Sequence, residues 1–174
     1  MTVRLAVPAD AAAIADVAGA TFALACPPGT PQAVIDRIVA DSLTEAAFSD
    51  ALRDPERILL VAEPAPGSPL EGYAMVVLAE PEDPAAAIRL RPGVELARLY
   101  VREAAHGSGT ADALLAGALE AVRETGAAGI WLGTNRRNER SQRFYVKHGF
   151  VRAGVKPSRL GDGYEDDVVY ERPL

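Results

Sequence analysis

Residues 94–123 read VELARLYVREAAHGSGTADALLAGALEAVR, and the fold turns on how this stretch is read. Its first part, Val94 to Arg102, alternates apolar and polar residues and carries Leu, Tyr and Val, which is the pattern of a half-buried strand. Its last part, Thr110 to Val122, sets Leu114, Leu115, Ala118, Leu119 and Val122 at helical spacing. Between them lies His106-Gly107-Ser108-Gly109-Thr110-Ala111. A strand that turns through glycines into a helix start makes an anion site. Glycine lets the backbone come close, and the first amides of a helix have no partner within it. The aligned peptide dipoles add about half a positive charge there, so the natural guest is a phosphate or pyrophosphate.

Outward from this stretch, the chain reads as one α/β domain spanning residues 1–174, with a mixed sheet and helices on both faces. Val3 to Val7 is a first strand ended by Pro8. Asp10 is expected to cap a helix that runs to about Leu24 with Ile14, Val17 and Ala18 inside. The breaker cluster Cys26 to Pro31 precedes a second helix around Val34, Ile35, Ile38 and Val39. Thr44 caps a third, which buries Ala47, Phe48 and Leu52. Ile58 to Ala62 and Gly72 to Ala79 follow as strands. Pro81 to Pro92 resists assignment, and Glu80, Glu82 and Asp83 form an acidic cluster at its start. After the central helix come a short strand, Gly129 to Gly133, and a helix capped by Asn138 and closed at Gly149. Phe150 to Val155 and Asp166 to Arg172 read as a closing antiparallel pair.

Composition narrows the function classes. The net charge of -6 argues against nucleic acid as a partner, because a phosphate backbone asks for a basic face. The lone Cys26 excludes an internal disulfide and points to a reducing compartment such as the cytoplasm. The Ala-rich start is interrupted by Pro8, Asp10 and Asp16, so no targeting segment is expected. No stretch reads as long and apolar enough to span a membrane either.

Three phosphate ligands compete for the glycine turn. A Walker-type loop ends in Lys-Ser or Lys-Thr, whereas Gly109 is followed by Thr110-Ala111. A dinucleotide site needs a third small residue where Asp112 stands, and an acid at the tip of the next strand, which here ends Gly133-Thr134-Asn135. The third candidate is coenzyme A. Leu99-Tyr100-Val101, four residues, then His106 to Ala111 resembles the pyrophosphate-binding motif of the GCN5-related N-acetyltransferases. The continuation resembles the same family: Ile130-Trp131-Leu132, Asn138-Glu-Arg-Ser141, Phe144-Tyr145 and Gly149-Phe150. His106 stands where the family usually has Gln or Arg, and Ala111 replaces a common Gly.

The resemblance implies the acyl-CoA N-acyltransferase fold, a mixed and mostly antiparallel sheet with helices on both faces. It implies acetyl-CoA as acyl donor, no metal, and a homodimer, as members often form. Backbone groups of Leu99, Tyr100 and Val101 would pair with the pantetheine arm like an extra strand. His106 would line the turn, and the amides of Gly107, Ser108, Gly109, Thr110, Ala111 and Asp112 would hold the pyrophosphate. Asn138 would contact the cofactor near its thiol end. Tyr145 would lie beside the thioester sulfur as general acid, and Glu95 would match the catalytic glutamate of the histone-type members as base.

The reaction so implied is direct transfer of an acetyl group to an amine. An alkylammonium has a pKa of about 10.4, so a base or a desolvating pocket must take its proton. Backbone N–H groups near Leu99 can hold the oxyanion. A thiolate with a pKa near 8.5 leaves more easily with a proton from Tyr145. The tail, with Lys147-His-Gly-Phe150, Leu160-Gly-Asp162 and Asp166-Asp167, resembles the PaiA-type polyamine acetyltransferases. That makes a small primary amine the expected acceptor. A peptide or protein amine is the alternative, as is an acyl-CoA-binding module without catalysis.

Overall fold

A computed structural model describes residues 1–80 and 88–174. The expected acidic residues Glu82 and Asp83 lie outside the described residues. Glu80 is described, and its carboxylate is already engaged, 2.5 Å from the Arg91 guanidinium and 2.6 Å from the Gly93 N–H.

Seven strands among the described residues form one sheet, in the order β1-β2-β3-β4-β5-β7-β6. They are β1 (Thr2–Leu5), β2 (Arg57–Glu63), β3 (Gly72–Val77), β4 (Gly93–Val101), β5 (Gly129–Asn135), β6 (Val151–Leu160) and β7 (Gly163–Pro173). All neighbours are antiparallel except β4 and β5, which run parallel. The helices are α1 (Ala11–Ala25), α2 (Gln32–Ser42), α3 (Glu45–Arg53), α4 (Thr110–Ala121) and α5 (Glu139–Lys147). The mixed sheet with helices on both faces is therefore as expected.

Each face buries its own core. On one side α4 and α5 supply Leu114, Leu115, Ala118 and Tyr145, which pack with Val94, Leu96, Ile130, Leu132 and Phe150. On the other, Ile14, Val17 and Ala18 of α1 and Phe48 of α3 pack on Leu59, Val61, Tyr73 and Met75. Over the β5–β7 half of that second face, among the described residues, Ile88, Trp131 and Val169 form a small separate cluster.

Three expectations need correction. First, the 3-10 turn at Pro8–Asp10 and α1 together give an 18-residue helical run, Pro8–Ala25, long and apolar enough by composition to cross a bilayer. Here its apolar stripe serves the core, with Ile14, Val17 and Ala18 wholly buried. Second, Asp10 makes no side-chain cap. Its carboxylate instead accepts from the Arg4 guanidinium at 2.7 and 2.9 Å and from the Val7 N–H at 2.7 Å, fixing the corner between β1 and α1. Third, the closing pair is much longer than its apolar runs. Register extends from Val151↔Glu171 to Leu160↔Gly163, because cross-strand backbone bonds carry a hairpin on through a polar sequence. Thr44 and Asn138 do cap α3 and α5, accepting from the Ala47 and Ser141 N–H groups. Gly149 takes the left-handed position (φ +81°).

Candidate active site

The parallel pairing of β4 with β5 is short. It comprises Gly93↔Gly129, Val94↔Ile130 and Glu95↔Trp131, although β4 continues to Val101 and β5 to Asn135. A bulge in the β3–β4 ladder, where Met75 and Val76 face Arg98 and Leu96, leaves Ala97 as the extra residue. A bulge bends and twists its strand, and here it lies directly beyond the last β4–β5 pair, so β4 swings away and the sheet splits.

One edge of β4 is thereby left open. The Arg102 N–H donates to Glu71 O on the β3 side at 2.8 Å. Alternation then turns the backbone groups of Tyr100 toward β3 as well, and those of Leu99 and Val101 toward the split. Of the three residues expected to offer backbone groups, Leu99 and Val101 do so. Tyr100 does not, and it is its side chain that lines the cavity.

A cavity of about 820 Å³ occupies the split. The turn before α4, α4 and α5 give its lining His106, Ala111, Asn138, Arg140 and Tyr145; α1, α2 and β7 give Phe22, Ile38, Asp41, Glu165 and Asp167. The first set begins at the glycine turn. Gly107 and Gly109 sit at φ +83° and +89°, which is why glycine is needed there. The Ser108 N–H is taken by Ala105 O at 3.3 Å, and the Thr110 N–H leans on Ser108 Oγ at 3.4 Å. The N–H groups of Gly107, Gly109, Ala111 and Asp112 have no acceptor among the described residues. Four of the six amides expected to hold an anion are thus free to do so, at the N-terminus of a 12-residue helix.

Of the arginines around α5, Arg136 pairs with Asp166, Arg143 with Glu139, and Arg137 donates to Pro28 O. Only Arg140 reaches the cradle. It bonds His106 Nδ1 at 3.0 Å, and His106 Nε2 lies 3.0 Å from Val101 O on the open edge. Asp112 joins the two helices beside the cleft, bonding His148 and Lys147 at 3.0 Å each.

Tyr145 is buried, wedged edge-on between Phe144 and Phe150 at 5.3 and 5.5 Å. Burial pushes its phenol well above the usual range, and nearby Tyr100 adds to that, while the Ser141 hydroxyl opposes it. The phenol therefore keeps its proton at neutral pH, as a donor must. Burial also raises the Glu95 carboxyl, against the pull of Lys156 and Arg98. Glu95 is half-buried but does not line the cavity. As the last residue paired to β5, it is held back from the open part of the split.

Sequence reasoning missed the second set. Glu165, Asp167, Val169 and Glu171 alternate along β7, and the alternation puts Asp167 on the face of Trp131 and Val169. The hairpin tip meets α2 through Arg37 and Asp162, 3.0 Å apart. Cys26 also lines the cavity, where burial pushes its thiol up.

Residues 37–150 match the family model described as the acetyltransferase (GNAT) family. An uncharacterised N-acetyltransferase of Mycobacterium tuberculosis is 39% identical over 165 residues, which is 95% of this chain and 98% of the relative. Among solved structures, the PaiA N-acetyltransferase of Thermoplasma acidophilum in complex with coenzyme A superposes with a TM-score of 0.77 at 17% identity, covering 100% of both chains. The yncA acetyltransferase of Salmonella typhimurium with its cofactor acetyl-CoA superposes at 0.67 with 23% identity, over 100% of this chain and 94% of that one.

Proposed function

Because this chain belongs to the acetyltransferase (GNAT) family, we propose that it is an N-acetyltransferase that moves an acetyl group from acetyl-CoA directly to the primary amine of a small molecule such as a polyamine. One observation carries the reading: the open edge of β4 runs from an amide cradle at Gly107–Asp112 to the buried phenol of Tyr145. The cradle suits a diphosphate, the edge suits an amide-bearing arm, and the phenol stands where the arm would end.

The chain's own residues then divide the work. Leu99 and Val101 bind the arm through the N–H and C=O groups they turn to the split, of which Val101 O is held by His106. To do so, the arm must displace His106 from Val101 O, freeing Arg140 to meet phosphate. Backbone N–H groups of β4 stabilise the oxyanion as it forms. Tyr145 gives its proton to the departing sulfur. Glu95, the last β4 residue paired to β5 and not part of the cavity lining, serves the acceptor through an intervening group rather than by touch.

A cationic acceptor suits the second set, in which Asp41, Glu165 and Asp167 line the wall and Tyr100 and Phe22 offer ring surface. Two measurements test the reading. Saturating acetyl-CoA raises the melting temperature, by about 2.7 kcal/mol of stabilisation at 100 times Kd. Thiol release then follows on adding amines from a panel of monoamines, diamines, spermidine and lysine peptides. No thermal shift rules out the cofactor; a shift without thiol release on any amine leaves a binding module.

A further inference from the structure

The mechanism needs a group that touches the incoming amine, and Glu95 is not among the residues that line the cavity. We infer that Asp167 is that group: its carboxylate, lying against Gly133 beside the β4/β5 split, docks the acceptor ammonium and takes its proton, with Lys156 as the positioning residue that holds it there.

Asp167 stands at the crossing of three strands, opposite Asn135 on β5 and Lys156 on β6. Gly133 makes room for it. A Cβ there would sit 3.0 Å from Lys156 Cε and 3.3 Å from Asp167 Oδ2, so both side chains cross the bare backbone of β5. Lys156 then rests its ammonium over the Trp131 ring, 4.9 Å from the centroid. From there its charge acts on both Glu95 and Asp167 while closing an ion pair with neither. Asp167 closes no ion pair among the described residues.

The other cavity carboxylates are placed differently. Asp162 is committed to Arg37, Asp41 is exposed on the α2 wall, and Glu165 lies two residues nearer the hairpin tip. The groups around Asp167 are Lys156 and Ser158 from β6, Glu165 and Asp166 on its own strand, and Tyr100 from β4. Arg98, Arg37, Asp41 and Cys26 line the same cavity. Burial raises the Asp167 carboxyl; Ser158 and Lys156 hold it down, and Glu165 and Asp166 push it up. Tyr100, Asp167 and Tyr145 line the same cavity, and the charge of Tyr100 is felt at Tyr145 as that of Asp167 is at Tyr100.

The step balances as follows. The ammonium gives one proton to Asp167. The freed nitrogen lone pair attacks the thioester carbon, and the C=O π pair moves to oxygen. As the C=O re-forms, the C–S bond breaks and its pair leaves on sulfur, which takes the Tyr145 proton. Tyr145 is replenished by the second proton of the attacking nitrogen, and Asp167 releases its own to water. The products are amide, free thiol and one proton.

This inference rests on the N-acetyltransferase reading, which the wild-type amine panel tests first: if wild type binds acetyl-CoA and acetylates no amine, that reading fails and Asp167 loses its role with it. With the best amine of the panel, Asp167→Asn is expected to lower kcat/KM about 100-fold or more at pH 7, with acetyl-CoA thermal stabilisation retained. The deficit narrows toward pH ~10, where the amine arrives neutral. Asp167→Glu recovers part of the loss, and Glu95→Gln loses less than Asp167→Asn. A loss under about threefold at pH 7, or one equal at every pH, overturns the proposal. Should Asp167→Asn not fold, Gly133→Ala reads the same geometry. It must weaken amine turnover most at neutral pH while sparing acetyl-CoA binding, and an unchanged pH profile overturns the proposal.

Discussion

At the scale of the residue, burial sorts the titratable groups by what they can do. Tyr145 is enclosed by Phe144, Phe150 and the β4–β5 core, so its phenolate is penalised and the proton stays on. Tyr145→Phe should therefore lower kcat by about 10- to 100-fold while leaving acetyl-CoA affinity within about twofold, checked by steady-state kinetics and calorimetric titration. Unchanged turnover removes the phenol from the mechanism. Glu95 gives a pH prediction on stability. Its folded pKa is raised, chiefly by burial, so the folded state binds its proton more tightly than the unfolded chain. Its contribution is present below the ordinary glutamate range, near 4.3, and is lost as pH rises through the folded value. Glu95→Gln should accordingly melt higher than wild type at pH 7, and the advantage should vanish by about pH 4. An equal advantage at both pH values points to packing instead.

At the scale of the element, two corners carry the design. The glycine turn ahead of α4 holds Gly109 at φ +89° with open space around it, so a methyl there meets strain and no clash. Gly109→Ala should cost about 1–2 kcal/mol in urea denaturation and weaken acetyl-CoA binding at least tenfold, because the cradle amides turn with the backbone. Stability and affinity both unchanged would mean the turn is not the cradle. The β1–α1 corner depends on Asp10, whose carboxyl the Arg4 guanidinium holds well below its usual range. Asp10→Ala should cost about 1–3 kcal/mol near neutrality. That contribution is present above the ordinary aspartate range and disappears as pH falls through the lowered folded value. Denaturation at pH 7 and pH 2 checks the sign, and equal costs at both contradict the ion pair.

At the scale of the whole molecule, one sheet is closed on both sides and open in the middle. α4 and α5 border the opening beside the amide cradle; α1, α2 and the β6–β7 hairpin border it as well. The hairpin reaches α2 through Arg37 and Asp162, whose side chains are 49% and 83% exposed, so the pair adds little stability. Arg37→Ala should change unfolding free energy by under ~0.5 kcal/mol yet raise KM for the amine, since the wall it steadies is the acceptor's. Unaltered KM takes the hairpin out of acceptor binding.

The sequence determined the elements and the first set of cleft residues. Hydrophobic period marks β4 and α4, the two glycines between them require left-handed backbone, and Asn138 is a helix cap from its type and place alone. Such signals are local, written within a few residues of where they act. Tertiary structure alone decided the split between β4 and β5, which turns on a bulge and on which edge of each strand meets another. It also decided which backbone groups face the cleft, against Tyr100, and which carboxylate meets the cavity, against Glu95. Asp167 was one of many polar residues in a hairpin. Its chemistry comes from Gly133, Lys156 and Trp131, residues distant in the chain that only sheet register brings together.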